Sequence, residues 1–184
     1  MPRNVEIKAR ARDFKGQVLL AERLENRGVL HVIQEDTFFN VVSGRLKLRT
    51  FADGSGELIQ YQRVDSLDPA EPHYIRYPTD TPELLKEALT NALGVRGLVR
   101  KKRTVYLTGK KRIHMDEVEG LGSFIELEVV LESTDEIASG VALARELMSK
   151  LSIEEEDLVE GAYIDMLDDN PYNDATDSER ESLA

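Results

Sequence analysis

The sequence contains no cysteine, which excludes disulfide bonds and thiolate metal sites and favours an intracellular setting. Its three histidines, His31, His73 and His114, do not form the spacing of a zinc site. No apolar run approaches the roughly 20 residues that a membrane-spanning helix needs, and the N-terminus lacks the apolar core of a signal peptide. These absences predict a cytoplasmic protein that does not enter a membrane.

Positive charge is also scarce, because 24 Lys and Arg residues stand against 35 Asp and Glu residues and leave a net charge of −11. A surface of that sign repels nucleic acid and anionic membranes, so neither is expected as a partner. Much of the excess acid lies near the end of the chain, at 154–157 and 168–181, whereas basic residues concentrate in predicted strands. The length fits one domain, which we place at residues 1–168, followed by an acidic tail at 169–184 that we expect to be disordered.

Alternating apolar and polar residues indicate about eight strands with few helices between them. The predicted strands are 3–11, 29–41, 45–51, 57–65, 72–78, 97–108, 111–118 and 123–132. The predicted helices run from Asp13 to Gly28, from Thr81 to Gly94, and over 134–151 and 153–167. Consecutive hairpins favour an antiparallel sheet. The fold class that follows is α+β, an eight-stranded antiparallel sheet closed into a β-barrel or tunnel with flanking helices, although the pattern alone does not separate a barrel from a sandwich.

Like-charged residues alternate along several of these strands. Arg45, Lys47 and Arg49 share one face of a strand, because strand side chains repeat every two residues. Lys101 and Arg103 repeat the arrangement, and the acids cluster elsewhere, at Glu6, Asp116, Glu126 and Glu128. Each strand taken alone is typical of a solvated sheet face. Neighbouring like charges repel, however, so segregated clusters of both signs indicate a ligand between them.

A polyanion that binds together with metal ions would satisfy both clusters. A triphosphate carries about four negative charges at neutral pH, and its oxygens accept charge-assisted hydrogen bonds from Arg and Lys. Mg²⁺ and Mn²⁺ prefer carboxylate and phosphate oxygens. The basic strands are therefore expected to hold a small-molecule triphosphate, and the acidic strands Mg²⁺ or Mn²⁺, inside the barrel.

The motifs resemble, in order across residues 3–167, those of the CYTH or triphosphate tunnel metalloenzyme superfamily. Its N-terminal Glu-x-Glu-x-Lys signature is similar to Asn4-Val5-Glu6-Ile7-Lys8 here. The further matches are Gln34-Glu35-Asp36-Thr37-Phe38-Phe39, Arg45-Leu46-Lys47-Leu48-Arg49, Tyr61-Gln62-Arg63, Lys101-Lys102-Arg103 with Tyr106, Asp116 to Gly122 leading to Glu126-Leu127-Glu128, and Tyr163 to Leu167. The resemblance implies a closed eight-stranded tunnel, triphosphate substrates and dependence on Mg²⁺ or Mn²⁺.

Carried over by position, the resemblance also implies roles for individual residues. Phosphate binding falls to Lys8, Arg45, Lys47, Arg49, Arg63, Lys101 and Arg103. Holding or orienting metal ions falls to Glu6, Asp116, Glu126 and Glu128, and the candidate catalytic residues are Glu6, Lys8 and Glu126. In one departure, Asn4 stands where the family has its first glutamate. An amide oxygen can bind a metal ion, but it brings no charge and cannot act as a base.

The reaction that we expect is hydrolysis of inorganic tripolyphosphate, thiamine triphosphate or a nucleoside triphosphate. The segment from Asp116 to Glu128 also resembles class IV adenylyl cyclases, so the formation of cyclic AMP and pyrophosphate from ATP is the alternative, and no motif separates the two. A non-catalytic triphosphate-binding module is a third interpretation, which the retained acidic residues disfavour. The protein is expected to be a monomer or a homodimer.

Overall fold

The computed structural model describes residues 3–62 and 73–168. The strands within these ranges are β1 (Arg3–Arg10), β2 (Gly28–Phe39), β3 (Arg45–Phe51), β4 (Gly56–Gln62), β5 (His73–Thr79), β6 (Val95–Thr108), β7 (Lys111–Val118) and β8 (Gly122–Leu131). The helices are α1 (Phe14–Leu24), α2 (Pro82–Leu93), α3 (Ile137–Lys150) and α4 (Tyr163–Asp168), with a 3₁₀ turn at Glu155–Asp157. The predicted α+β class and the eight strands are confirmed.

The strands form one antiparallel sheet in the order β1-β8-β7-β6-β2-β3-β4-β5. Five of the seven pairs join strands that are consecutive in the sequence, as predicted, whereas β2 pairs with β6 and β1 with β8 across long stretches of chain. A closed barrel was predicted from the sequence, but the described strands do not close into one. In the described part of the chain β1 and β5 are the two edges and no ladder joins them, so the sheet is a curled half-barrel.

Contacts with the C-terminal segment show how far the sheet curls. Four strands separate β1 from β3, which would place them about 24 Å apart in a flat sheet. Yet the Nζ of Lys8 on β1 donates a hydrogen bond to the carbonyl of Gly161 at 2.9 Å, and Arg45 on β3 binds Asp165 of α4 at 2.8 Å. One short segment thus bridges both strands, and the sheet curves around it.

The main apolar core lies on the other face of the sheet, under α1 and α3. Gly140 allows α3 to approach closely, because a Cβ atom there would lie 2.9 Å from the side chains of both Val5 and Leu131. The buried residues of this core are Ala9, Ala21, Tyr106, Ile113, Met115, Ile125, Leu127, Leu147, Met148, Leu151 and Ile153. Burial of these side chains fixes which face of β1, β8, β7 and β6 turns away from the helices.

The helix boundaries differ from the predictions at two places. Asp13 caps α1 as predicted, accepting a hydrogen bond from the N–H of Gly16 at 3.1 Å, but the helix ends at Leu24 and Gly28 already begins β2. The helix predicted over 153–167 is not continuous, since Asp157 turns back to accept the N–H of Glu154 and Gly161 adopts a positive φ of 78°. Within residues 3–62 and 73–168, no helix is long and apolar enough to cross a bilayer. Arg63 and the acidic tail lie outside the described residues.

Candidate functional site

The strand registers bring the predicted site residues onto one face of the sheet. Residues directly opposite in a ladder share a face, and the pairs Glu6–Glu128, Lys8–Glu126 and Arg103–Asp116 are directly opposite. The period of two adds the others, and Asp36, which lies opposite Arg49, joins them. We call the following eleven residues the charged face: Glu6, Lys8, Asp36, Arg45, Lys47, Arg49, Lys101, Arg103, Asp116, Glu126 and Glu128.

The basic side chains of this face are withdrawn from water. Those of Arg45, Lys47 and Arg49 are 14%, 14% and 16% exposed, and those of Lys101 and Arg103 are 4% and 11% exposed. A solvated sheet surface would leave such long side chains exposed, so that interpretation is wrong for these strands.

Asp36 holds two of the three basic residues of β3. Its carboxylate accepts two hydrogen bonds from the guanidinium of Arg49, at 2.7 and 2.8 Å, and one from Lys47 at 2.6 Å. Burial would raise the pKa of Asp36, but Lys47 and Arg49 overcome it and hold that pKa far below its usual range. The sequence prediction gave Asp36 no role. The burial of its neighbours Thr37 and Phe38 marks Asp36 as an interior acid, and this burial is seen only in the structure.

Asp116 holds the second basic pair. It is fully buried and accepts hydrogen bonds from Lys101 at 2.9 Å, from Arg103 at 2.6 and 2.7 Å, and from the hydroxyl of Tyr163 at 2.9 Å. The Nη2 of Arg103 also reaches Glu126 at 3.3 Å. Arg103 therefore links two carboxylates on neighbouring strands, and the three side chains form one network.

The surrounding charges keep these groups in fixed protonation states. Burial opposes ionisation of Glu126, yet Arg103 and Lys101 hold the pKa of this carboxylate well below its usual range. Burial, assisted by Arg103, lowers the pKa of His114. Burial and the nearby Asp116 raise the pKa of the Tyr163 hydroxyl. At neutral pH the carboxylate is therefore ionised, the imidazole neutral and the hydroxyl protonated.

A second group of acids lies at the β1–β8 edge. Glu128 accepts hydrogen bonds from the amide of Asn4 at 3.0 Å, from Arg112 at 3.1 and 3.2 Å, and from the Nε2 of His114 at 3.2 Å. Burial raises the pKa of Glu128, but the hydrogen bonds from His114 and Asn4 lower it, with a net result of about 2. The Asn4 amide also donates to Glu6 at 2.9 Å. His114 thus contacts the predicted metal-binding residue Glu128.

The C-terminal segment covers the basic residues from the open side. Lys8 lies 4.4 Å from the centroid of the Tyr163 ring, and Asp165 binds both Arg45 and Arg96, each at 2.8 Å. Gly97 lets α4 dock closely, because a Cβ atom there would lie 2.7 Å from the Cδ1 atom of Ile164. Tyr163 to Leu167 were among the family matches, but the sequence prediction gave Tyr163 and Asp165 no role in the site, and it missed Arg96. Contacts between such distant parts of the chain leave no local pattern.

The chemistry of the donor set fits a divalent cation at the β1–β8 edge. Glu6 and Glu128 provide carboxylate oxygens there, and the Oδ1 of Asn4 is buried with no hydrogen-bond partner in the structure. Carboxylate and amide oxygens are ligands that Mg²⁺ and Mn²⁺ accept. Within residues 3–62 and 73–168, no three Asp, Glu or His side chains converge closely enough to hold a metal ion by themselves.

Comparisons with known proteins found sequences and folds that are similar to this chain. A Methanocaldococcus jannaschii protein named "Putative adenylate cyclase" is 23% identical over 171 residues, which cover 88% of this chain and 97% of that protein. The solved structure of the PH1012 protein from Pyrococcus horikoshii has a TM-score of 0.77 and 23% identity, with 88% of this chain and 98% of that one covered.

A more distant solved structure has the same fold. The Hippeastrum protein HpAC1, described as having a dominant triphosphatase activity, superimposes with a TM-score of 0.59 and 17% identity over 83% of this chain and 89% of its own. The model of the CYTH domain matches residues 2–163. Since this match spans all the described strands and the charged face, the chain belongs to the CYTH domain family.

Proposed function

We propose that this protein is a metal-dependent enzyme that hydrolyses a triphosphate compound on the charged face. The observation that carries the proposal is the partial or nearly complete burial of six basic side chains, from the three strands β1, β3 and β6, on one curled surface together with five carboxylates. Burying charged groups is unfavourable unless they are paired. A charged ligand that interacts with both the basic and the acidic side chains would explain why the site retains so many of them.

The charge balance supports a substrate that arrives with cations. Six bases and five acids give the charged face a net charge of about +1 when all are ionised. A triphosphate with about four negative charges would leave a large uncompensated negative charge in a partly buried site. One or two divalent cations would restore the balance. This is the reason to propose a metal-dependent reaction rather than simple anion binding.

The basic residues in this proposal hold the phosphate groups. Lys8, Arg45, Lys47, Arg49, Lys101 and Arg103 are the proposed contacts, and Arg63 remains a predicted one outside the described residues. Each of the six described residues already has a protein partner, such as Asp36 for Arg49 or Asp165 for Arg45. Phosphate oxygens would compete with these partners, so the carboxylates keep the basic residues oriented until the substrate arrives.

The acidic residues in this proposal hold the cation and orient the bases. In this proposal Glu6 and Glu128 hold Mg²⁺ or Mn²⁺, Glu126 adds negative charge further along the same face of β8, and Asp116 orients Lys101 and Arg103. When bound, the cation would neutralise phosphate charge and make a nearby water molecule more acidic. Because Glu126 has a strongly lowered pKa, its contribution is negative charge rather than proton acceptance.

Hydrolysis in this arrangement depends on positioning and charge stabilisation. The oxygen of water forms a bond to the terminal phosphorus while the bond from that phosphorus to the bridging oxygen breaks. The electrons of the broken bond stay on the bridging oxygen, so negative charge moves onto the leaving pyrophosphate or diphosphate ester, and the protons of the water remain on the released orthophosphate or pass to solvent. Arg103 and the β3 residues present several donors to the oxygens that gain this charge. Donors that are already oriented stabilise the transition state without further reorganisation.

The alternative product is cyclic AMP, in which the ribose 3′-hydroxyl attacks and pyrophosphate leaves. It is kept because the M. jannaschii relative carries a cyclase name. The same basic and acidic residues would serve both reactions, so they differ only in whether the site orients a nucleoside. The triphosphatase activity described for HpAC1 is the reason to place hydrolysis first.

The deciding experiment incubates the purified protein with ATP, thiamine triphosphate or tripolyphosphate, each with Mg²⁺, Mn²⁺ or EDTA. Release of orthophosphate that stops with EDTA supports the proposed hydrolase. Cyclic AMP with pyrophosphate instead establishes the cyclase. Tight binding of all three compounds with no turnover would mean a binding module and would contradict both reactions.

Two variants test whether the charged face is the site. Glu128→Ala should abolish the metal-dependent activity, and Arg49→Ala should mainly raise KM. The matched control is Arg100→Ala on β6, because Arg100 is half exposed and its neighbour Lys101 carries the inward position. Equal activity in all three variants would mean that the chemistry takes place elsewhere on the molecule.

A further inference from the structure

The side-chain amide of Asn4 bridges two carboxylates. Its Nδ2 donates one hydrogen bond to the Oε1 of Glu6 at 2.9 Å and one to the Oε1 of Glu128 at 3.0 Å. Glu6 and Glu128 lie directly opposite each other on β1 and β8, where two like charges would repel. Both N–H groups of one amide are used to hold these two anions side by side.

The other end of the same amide has no partner. Asn4 is only 6% exposed, and its Oδ1 is buried and accepts no hydrogen bond. A buried carbonyl oxygen without a donor is unfavourable. Turning the amide over would give this oxygen to whatever lies between the carboxylates, but in the cation-free protein it would face two anions. The observed orientation is therefore the one that two carboxylates select.

Other groups leave this choice to Asn4. Arg112 and the Nε2 of His114 bind the Oε2 of Glu128, at 3.1 and 3.2 Å. Arg112 also reaches Oε1 at 3.2 Å. These contacts hold the Glu128 carboxylate in place, and the Asn4 amide is the group that reaches both Glu128 and Glu6.

A divalent cation would compete for the same two oxygens that the amide binds. We infer that Asn4 is an exchangeable ligand: its N–H₂ group holds Glu6 and Glu128 together in the cation-free protein, and its amide turns over to present Oδ1 when a cation binds between them. This inference rests on the proposed function, because that function requires a cation at this carboxylate pair. Asn4 also sets the charge of the site, since it adds a ligand oxygen without a third negative charge.

The orientation of the amide can be followed directly by NMR of ¹⁵N-labelled protein. The Asn4 side-chain N–H₂ signals are assigned by their loss in Asn4→Asp. Titration with Mg²⁺ alone, and then with Mg²⁺ plus tripolyphosphate, should shift these two protons upfield and increase their exchange with water, because they lose both carboxylate acceptors. Signals that stay unchanged through both titrations would overturn the inference.

The Asn4→Asp variant tests the same point by stability. Its side chain has the same shape but lacks the N–H donors and adds a third carboxylate. Without cations its Tm should fall below that of the wild type, and Mg²⁺ should then bind at least tenfold more tightly and raise its Tm further. The matched control is Asn40→Asp, an exposed position in the turn between β2 and β3, which should respond like the wild type. An Asn4→Asp response equal to that of Asn40→Asp would contradict the inference.

The outcomes separate this inference from the proposed function. If Mg²⁺ displaces the Asn4 amide but no triphosphate is turned over, the exchange is correct and the hydrolase proposal fails. If triphosphate is hydrolysed while the amide keeps its carboxylate hydrogen bonds, the hydrolase stands and the exchange is wrong. A variant that does not fold leaves the wild-type titrations to decide.

Discussion

Asp36 and Arg49 lie directly opposite each other on β2 and β3, and the guanidinium grips the carboxylate through two hydrogen bonds of 2.7 and 2.8 Å. Lys47 binds the same carboxylate at 2.6 Å. One buried acid therefore fixes the orientation of two basic residues that would otherwise repel each other. This pattern repeats at Asp116, which holds Lys101 and Arg103. The charged face is thus organised by its acids before any ligand binds.

Asp36→Asn is expected to destabilise the protein strongly. Removing the charge leaves Lys47 and Arg49 buried without their anion, and breaking a buried pair in this way costs about 3–5 kcal/mol. Urea denaturation would measure the loss. Glu35→Gln is the control, because Glu35 lies on the opposite face of β2 and pairs with the partly exposed Lys86 and Arg100. Similar losses in both variants would contradict the special role of Asp36. Tripolyphosphate should restore part of the stability of Asp36→Asn, since phosphate supplies the missing negative charge.

Substrate binding is expected to take up a proton through Lys47. Burial and the adjacent Arg49 lower the pKa of Lys47 to about 7, although Asp36 opposes this. A phosphate group favours the charged ammonium and raises that pKa in the complex, so binding near pH 8 should be coupled to proton uptake. The affinity that depends on Lys47 should fall by up to about tenfold per pH unit above 7. Calorimetry in two buffers of different ionisation enthalpy would measure the uptake, and Lys47→Arg, which stays charged, should abolish it.

The same lowered pKa affects folding in the opposite direction: substrate affinity should fall as pH rises, whereas the stability of the folded protein should increase. Between pH 7 and the ordinary lysine pKa of 10.5, the unfolded chain carries the proton that folded Lys47 has lost. The free energy of unfolding contributed by Lys47 should therefore rise with pH across that window. Lys47→Arg provides the comparison, because its guanidinium stays protonated in both states. The measured quantity is the difference in free energy of unfolding between the wild type and Lys47→Arg. If this difference does not change with pH across the window, Lys47 is charged in the folded protein.

The strands and their charged faces could be predicted from the sequence because both follow from a period of two. Once Arg45, Lys47 and Arg49 were placed on one face, only the register was needed to bring Arg49 opposite Asp36. The registers themselves, and the pairing of β2 with β6, depend on contacts between distant segments. Closure of the barrel was expected because it leaves a sheet without open edges and because the resemblance implies it, since no local pattern separates a barrel from a sandwich. The described strands stop short of it, with β1 and β5 as edges.

The missed parts of the site are those that the C-terminal segment contributes. Residues 153–167 have a helical composition, but Asp157 and Gly161 interrupt the helix and turn α4 towards the sheet. Only this change of direction brings Tyr163 to Asp116 and Asp165 to Arg45. A single sequence carries no signal for such a fold-back. The reason for a glycine at position 97 is seen only in the structure, where Ile164 packs against it.

Asp165→Asn is expected to tighten triphosphate binding. The Asp165 carboxylate binds Arg45, a proposed phosphate contact, so a substrate must displace it. Asparagine keeps an oxygen for the N–H of Ala162, which Asp165 accepts at 2.9 Å, but loses the negative charge. We expect the Kd for tripolyphosphate to fall several-fold, corresponding to about 1 kcal/mol for a partly exposed ion pair. Asp168→Asn is the control, because Asp168 pairs with Arg96 instead. Weaker binding in Asp165→Asn would mean that α4 supports the bound state rather than competing with it.

Arg103→Lys tests whether the geometry of the guanidinium matters beyond its charge. Arg103 donates to both oxygens of Asp116 and also reaches Glu126, which a single ammonium group cannot do. Losing one charge-assisted hydrogen bond, worth about 1.5–3 kcal/mol, should lower kcat/KM by about 10- to 100-fold. Arg100→Lys is the control, since Arg100 lies on the same strand with its side chain 52% exposed and should retain wild-type kinetics. If Arg103→Lys keeps full kcat/KM, positive charge alone is sufficient at this position, and the linked carboxylates Asp116 and Glu126 serve folding rather than catalysis. A fall in kcat with KM unchanged would instead place the lost donor in the transition state.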